Sequence, residues 1–490
     1  MNENKHSSLL LIMIAIFIAT FMTSVETTIV TTALPTIISK LDGLSMQSWV
    51  FAMYLLTMAI STPIYGKLSD QIGRKPIFMI GLIVFCVGSF LCGISSNIYS
   101  LILFRAIQGF GAGAIVPVTY TIIADLFSYE KRSNMLAMNN TAWGISALMG
   151  PIIGGFIVDK LNWHWIFFIN VPLGVIVLFL VWIGLKENKH TVSKEPIDVK
   201  GVLSLSGLLV SLLLLFQMLG NQHLTIIPIL IIGLIFIAFI ICFYKSEKQA
   251  IDPIIPLTLF KNQLFTIEII TASLLSGMQV GFQVYFPIWL QSIYKVPATV
   301  AGLAVTPSPV MWLVASFFVG ALVKRFSPKQ ITIPIVIIQM LFYVPLIFAG
   351  INFPMFIFYI ISGVTGAGLG IVITINILVA QEVVTEKDIG MATSILTLGR
   401  SLGQTIMTGI FGLIFNVAIN RSLGQDSRIN SQQINKFISA NQNSSTNMVY
   451  INDMKKIILN GMHLVFIATL ILFIIIFFVN LRDKNKEIIK

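Results

Sequence analysis

A chain of 490 residues that is 56% hydrophobic and only 10% charged cannot cover its apolar surface as a soluble globule. The formal net charge of +11 would suit a nucleic-acid binder, but the basic residues are scattered through short loops and never form one stripe. Nucleic acid is therefore excluded as a partner, and the lipid bilayer takes its place. The three cysteines, Cys86, Cys92 and Cys242, all lie in apolar stretches and form neither a disulfide framework nor a metal motif. The five histidines are scattered, and no phosphate-cradling loop is present. The expectation is a protein with no metal, no organic cofactor and no enzymatic activity.

A spanning helix needs about 20 apolar residues. Fourteen such stretches can be read along the chain. The first six are Leu9–Ala33, Trp49–Tyr65, Ile77–Ser95, Leu101–Ala124, Met135–Val158 and Trp165–Leu185. Val202–Leu219 and Thr225–Tyr244 follow. The last six are Leu264–Leu290, Ala298–Val323, Thr332–Gly350, Phe353–Ala380, Met391–Ala418 and Ile457–Leu481. The first stretch is too long for a signal-peptide core and is expected to be retained. The fold class is thus an all-α polytopic membrane protein. Its expected units are an N-terminal six-helix bundle (1–186), two additional helices with cytoplasmic linkers (187–262) and a C-terminal six-helix bundle (263–490).

Lysine and arginine set the orientation. With the N-terminus inside, the inner loops carry Lys67, Arg74, Lys75, Lys131, Arg132, Lys245, Lys248, Lys261, Lys324, Arg325 and Lys329. The short outer loops carry only Lys40, Lys160 and Lys295. This asymmetry predicts that both termini are cytoplasmic. The outer segment 420–456 is long, polar and rich in Asn, Ser and Gln. It reads either as an irregular loop or as two short amphipathic helices, with Ile434, Phe437 and Ile438 on one and Met448, Ile451 and Met454 on the other.

Ionisable residues inside spans are functional candidates by default. They are Glu26 in the first span, Arg105 in the fourth, Glu268 in the ninth and Arg400 in the thirteenth. Glu26 lies roughly 13 Å below Pro35, and Arg105 roughly 8 Å below the start of its span, at 1.5 Å per residue. Two long side chains can bridge that difference. Burial favours a neutral carboxyl, and a neighbouring guanidinium favours the charged one. A carboxyl held between these effects can load and release a proton; a permanent ion pair that orders two helices is the alternative. Gln108 shares the Arg105 face.

The short charged loop Gly66–Lys75, GKLSDQIGRK, places Asp70 near Arg74. With Asp125 and Arg132 at the inner end of the fourth span, a charge cluster is expected there. It acts either as a latch between conformations or as a solvated surface group. Gly144–Gly155, GISALMGPIIGG, offers Gly144, Gly150, Gly154 and Gly155 for close packing and Pro151 for a bend. Gly320–Lys329 repeats the loop imperfectly, Gly66 matching Gly320 and Lys75 matching Lys329. The chain thus reads as two parallel repeats. Substrate contacts are expected from Met22 and Gln108 in the first half, and from Glu268, Gln279, Gln283, Tyr285 and Trp289 in the second. Arg400 is a packing anchor or part of an inner gate. The 36 Phe and 20 Met residues suit an adaptable apolar cavity, although most must face lipid or core.

These motifs carry a resemblance. Gly66, Asp70, Gly73, Arg74 and Lys75 fall in the pattern of the signature loop of the major facilitator superfamily. Val25–Pro35, VETTIVTTALP, is similar to the fourteen-helix drug:proton antiporter branch, which more often has Asp at the position of Glu26. Arg105–Ala114, RAIQGFGAGA, resembles the superfamily's helix-4 motif, in which the Arg assists proton transfer. Gly144–Gly155 resembles the exporter motif that seals against proton leak and is usually missing from uptake symporters. Trp163–Gly174, Asp252–Phe265, Leu290–Pro307 and the stretch around Arg400 also look like this branch; His164 stands where the branch usually has Arg.

The resemblance implies a monomeric antiporter of a bacterial plasma membrane. It would exchange protons, as coupling ion, for a lipophilic, cationic small molecule by alternating access, as in multidrug efflux and antibiotic resistance. An exporter of an endogenous lipid, peptide or metabolite is the nearest alternative. A non-transporting membrane sensor or scaffold is the alternative from another class.

Overall fold

The computed structural model describes residues 3–127, 129–185, 198–220, 226–250, 253–255, 259–383, 389–425, 429–438 and 450–483. Among them the structure is helical throughout, with no strand. That follows from the solvent, because backbone groups in hydrocarbon must bond within their own segment. The first half comprises α1 (Glu3–Leu41), α2 (Gln47–Ile72), α3 (Arg74–Gly93), α4 (Ile98–Leu126), α5 (Tyr129–Lys160), α6 (Trp165–Phe168) and α7 (Asn170–Gly184). The additional pair is α8 (Val199–Leu219) and α9 (Ile226–Gln249). The second half comprises α10 (Gln263–Ile293), α11 (Ala298–Leu303), α12 (Pro307–Ser316), α13 (Val319–Val323), α14 (Pro328–Ile347), α15 (Phe356–Glu382), α16 (Ile389–Gln425), α17 (Ser431–Ile438) and α18 (Ile451–Leu481).

Fourteen of the described helical stretches are long and apolar enough to cross a membrane. Trp165–Gly184, formed by α6 and α7, counts as one span, as does Ala298–Ser316, formed by α11 and α12. The predicted tenth span is therefore broken. Pro307 starts α12, where its missing N–H is tolerated, and α13 follows after a turn. The first helix runs through Pro35 to Leu41, beyond its expected end. Neighbouring helices in membrane bundles support such interior prolines.

The halves repeat one packing plan. α1 packs on α5 and α7, and α3 on α4 and α7; correspondingly, α10 packs on α16 and α18, and α14 on α15 and α18. A paired detail marks the repeat. Lys75 Nζ donates to the carbonyls of Trp182 and Leu185 at 2.7 and 2.8 Å, closing the end of α7. Lys329 Nζ does the same for Leu481 and Asp483 at 2.8 and 2.9 Å, at the end of α18. A lysine ammonium satisfies the orphan carbonyls and the negative end of the helix dipole.

The additional pair sits on one flank. α8 packs against α2 and α16, and Trp49 Nε1 donates to Gln217 Oε1 at 2.9 Å. Along α9, Ile226, Ile227, Leu230 and Leu234 are more than half exposed, which makes it a lipid-facing helix.

Hydrogen bonds between the halves are found at the face away from the chain termini, here called the distal face. Gln291 Nε2 donates to the Thr32 carbonyl at 3.1 Å. Asp159 accepts from the amides of Ala298 and Thr299 at 3.1 and 3.0 Å and from Thr299 Oγ1 at 2.6 Å. Part of the polar segment 420–456 covers this seam. α17 buries Ile434, Asn435, Phe437 and Ile438, and Asn435 Oδ1 accepts from the Leu44 amide at 3.1 Å. The second expected amphipathic helix is not separate: Ile451 and Met454 open α18, and Met448 lies outside the described residues.

Candidate functional site

Glu26 on α1 and Arg105 on α4 meet in the interior of the first half, each fully buried. Arg105 Nη1 donates to Glu26 Oε1 at 2.5 Å and to Gln108 Oε1 at 2.9 Å; its Nε donates to the Val50 carbonyl at 3.0 Å. The guanidinium lies over the Tyr54 ring at 4.3 Å, a cation–π contact strengthened by the absence of water. The second carboxylate oxygen, Glu26 Oε2, accepts from Asn170 Nδ2 at 2.7 Å.

Ser89 Oγ ties the set together. It accepts from Gln108 Nε2 at 3.1 Å and Asn170 Nδ2 at 3.0 Å, and donates to the Phe167 carbonyl at 2.8 Å. Six helices, α1, α2, α3, α4, α6 and α7, thus supply one network. Two buried polar atoms within it have no partner: Arg105 Nη2 and Asn170 Oδ1. Such a network is the part of a core most sensitive to one change of charge. Asn170 and Ser89 are the residues that sequence reasoning missed. Asn170 lies inside the WHWIFFINVPLG stretch, but an uncharged polar residue there does not stand out. His164, in the same stretch, stacks on Trp163 at 3.7 Å, and its Nδ1 lies 2.8 Å from the Gly93 carbonyl.

The glycine motif of α5 divides. A Cβ on Gly150 would come within 1.9 Å of Thr28 Oγ1, and one on Gly154 within 2.8 Å of Ile29 Cγ1, so both are needed for contact with α1. A Cβ on Gly155 would meet the Thr299 backbone at 2.2 Å, which puts this glycine at the seam between the halves. Pro151 packs against Gly302 of α11 at the same seam. Gly144 departs from expectation, because no described atom lies within 4 Å of its Cβ position. It sits nearly two turns closer to the termini, where α5 does not press on a neighbour at that side.

At the terminal face, Arg74 Nε donates to Asp125 Oδ2 at 3.2 Å and Nη1 to Ser69 Oγ at 3.3 Å. This pair joins α3 to α4 within one half. Gly73 holds φ 118, a value that favours glycine, and so permits the abrupt turn from α2 into α3. Gly66 has open space around it. The side chains of Asp70 and Arg132 lie outside the described residues.

Several expected cavity residues are core residues instead. Met22 is fully buried and reaches toward Gly174 within the first half. Tyr285 packs on Phe411 and Phe415, and Trp289 on Phe358 and Phe466, all within the second half. The reason is that the distal end of α10 is wrapped by α15, α16 and α18, so its large rings face partners rather than a space. Glu268 is also enclosed, at 2% exposure; its carbonyl accepts from Asn376 Nδ2 at 3.2 Å, and its Oε2 has no partner. Gln108 belongs to the Glu26 network. Gln279 and Gln283 remain half-buried. Arg400 Nε donates to Ser276 Oγ at 3.2 Å. An apolar recess of about 230 Å³, which no expected residue lines, lies alongside the contact of α10 with α16; Ile269, Leu274, Leu402 and Met407 are among its walls.

The all-helical fold with its fourteen candidate spans agrees with a comparison of families. The model described as Major Facilitator Superfamily matches residues 16–408. The chain belongs to the major facilitator superfamily. This major facilitator protein is 36% identical to multidrug resistance protein 3 of Bacillus subtilis (strain 168) over 79% of its own length and 75% of the relative's. It is 33% identical to the multidrug transporter protein MdtP of the same organism, covering 84% and 76%. It is 30% identical to the multidrug efflux pump SdrM of Staphylococcus aureus (strain N315), covering 78% and 85%. Among solved structures, a bacterial homologue of the human lysosomal transporter Spinster, inward-facing and unoccupied, superposes with a TM-score of 0.70 at 13% identity, covering 98% and 97%. A D-xylose–proton symporter gives 0.59 at 14%, covering 95% and 97%. At these identities the likeness to solved structures is one of fold. The chain is a multi-pass membrane transporter, not an enzyme.

Proposed function

We propose that this transporter exports lipophilic, drug-like compounds from the bacterial cytoplasm in exchange for protons. Both termini are taken as cytoplasmic, so the closed distal face is the outer one and the described conformation faces inward. It works as a monomer, because both halves that frame the path belong to one chain. The multidrug names of relatives at 30–36% identity support drug export. The cationic charge expected of the cargo rests on the resemblance alone.

The Glu26–Arg105 contact carries the proton reading. A charged Glu26 holds the Arg105 guanidinium and the Asn170 amide together. Protonation removes one charge from this pair and turns an acceptor into a donor. The clamp between α1, α4 and α7 then loosens, and the Gly150–Gly154 seam lets α1 and α5 move as one packed unit. Proton loading from outside and cargo loading from inside thus alternate on one bistable element. A membrane potential of 100 mV adds about 2.3 kcal/mol per charge moved.

The test is Glu26→Gln reconstituted in liposomes. It should bind cargo while losing efflux driven by a pH gradient. Undiminished pH-driven efflux would sink the assignment.

A further inference from the structure

Among the described residues, four Asp, Glu, Lys or Arg side chains lie deep within spans: Glu26, Arg105, Glu268 and Arg400. Glu26 and Arg105 neutralise each other. Glu268 is enclosed between α10 and α15. Arg400 differs from all three. It is partly exposed, and no described carboxylate pairs with it.

Its surroundings come from both halves. Nε donates to Ser276 Oγ at 3.2 Å on α10, and the guanidinium lies 5.7 Å from the Trp312 ring on α12. Tyr120, 38% exposed on α4 of the other half, is within electrostatic reach. Gln279 and Gln283 lie one and two turns beyond Ser276 on the same face of α10, both half-buried. A guanidinium beside one aromatic ring, with half-buried amides further along α10 and no described carboxylate partner, is a poor packing anchor, because its desolvation is not offset by a counter-ion. It is a good receptor for one. The planar fork matches a carboxylate through two parallel hydrogen bonds, and the Trp312 ring matches an aromatic body.

We propose that Arg400 is a specificity-determining residue that receives the carboxylate of an aromatic cargo, with Trp312 beside the cargo's rings. The inference rests on the export reading and replaces its cationic cargo with an anionic or zwitterionic one. A permanently cationic compound meets a like charge at this position.

Three probes with one apolar body test it: naphthoate, its methyl ester and trimethyl(naphthyl)ammonium. Binding is measured with full-length protein in lipid nanodiscs, by intrinsic tryptophan fluorescence and by calorimetry. Wild type should bind naphthoate about ten-fold more tightly than the ester, as a charge-assisted pair requires. Arg400→Gln should erase that preference and leave the ester unchanged, whereas Arg400→Lys should retain part of it. Equal binding of all three probes by wild type would overturn the proposal. So would an equal loss of all three in Arg400→Gln that Arg400→Lys does not repair, which is the mark of a structural role. The export reading fails separately, if wild type in liposomes drives none of the three probes out under a pH gradient while its preference for naphthoate persists.

Discussion

The first helices of the two halves, α1 and α10, occupy equivalent places in the repeat and carry opposite chemistry toward their distal ends. On α1, Glu26 meets Arg105, Gln108, Asn170 and Ser89 in a hydrogen-bonded set. On α10, Phe286 packs on Phe358 and Phe466 at 4.9 and 5.9 Å, and Trp289 packs on the same two rings at 5.3 and 6.0 Å. A polar set answers to one proton; an aromatic cluster has no proton to exchange and holds by contact alone. On the proton reading proposed above, the first half would house the switch and the second would provide a stiff frame against which it works.

The sharpest way to break this comparison is to remove the switch's cation. Arg105→Ala leaves Glu26 buried without its partner and should destabilise the protein by about 3–5 kcal/mol, read by thermal unfolding in detergent. The double variant Glu26→Gln/Arg105→Gln should recover much of that loss. Failure to recover would mean that packing, not charge, holds the set.

Phe286→Ala should cost about 2 kcal/mol, less than in a soluble core because lipid and core are similarly apolar. It should leave the pH dependence of efflux unchanged. A shifted pH profile in Phe286→Ala would erase the division of labour.

A smaller effect is expected at the strap on the distal face. Lys295 donates to the Phe437 carbonyl and lies over the Phe437 ring at 3.6 Å. Burial, with repulsion from Lys455, pushes its ammonium down to about 8 from 10.5. Below pH 8 the lysine is charged in the folded and unfolded chain alike, and its burial penalty is present in full. Between about 8 and 10.5 the unfolded chain holds the extra proton, so stability rises with pH across that window. Protection of the 431–438 amides, taken relative to the intrinsic exchange rate at each pH, should rise accordingly, and Lys295→Met should flatten the trend.

The smallest expected effect is at the terminal face. Arg74 and Asp125 have 17% and 34% of their side chains exposed, so Arg74→Gln should cost only about 0.5 kcal/mol by thermal unfolding. A large loss of transport with so small a loss of stability would give this pair a conformational role.

Much of the fold was legible before any coordinates. Fourteen apolar stretches stand out because hydrocarbon demands long uninterrupted runs. Their ends did not: α1 continues through Pro35, and the tenth span breaks into α11, α12 and α13, because neighbouring helices decide what a proline does. In the site, Glu26 and Arg105 were conspicuous as charges in apolar surroundings. Asn170 and Ser89 were not, since uncharged polar residues are common in spans. Met22, Tyr285 and Trp289 are cavity candidates by residue type alone, because composition records an aromatic or a methionine without recording which way its helix is turned.

The sequence alone determined the solvent of this protein, its number of spans, its repeat and its family, because each follows from hydropathy, charge or a local motif. Only the tertiary structure decided that Gly150, Gly154 and Gly155 lie in tight seams while Gly144 does not, that Asn170 completes the Glu26 set, and that Arg400 lies beside Trp312 with no carboxylate partner among the described residues. Those outcomes depend on helix rotation and on contacts between residues more than a hundred positions apart, and no local pattern encodes them.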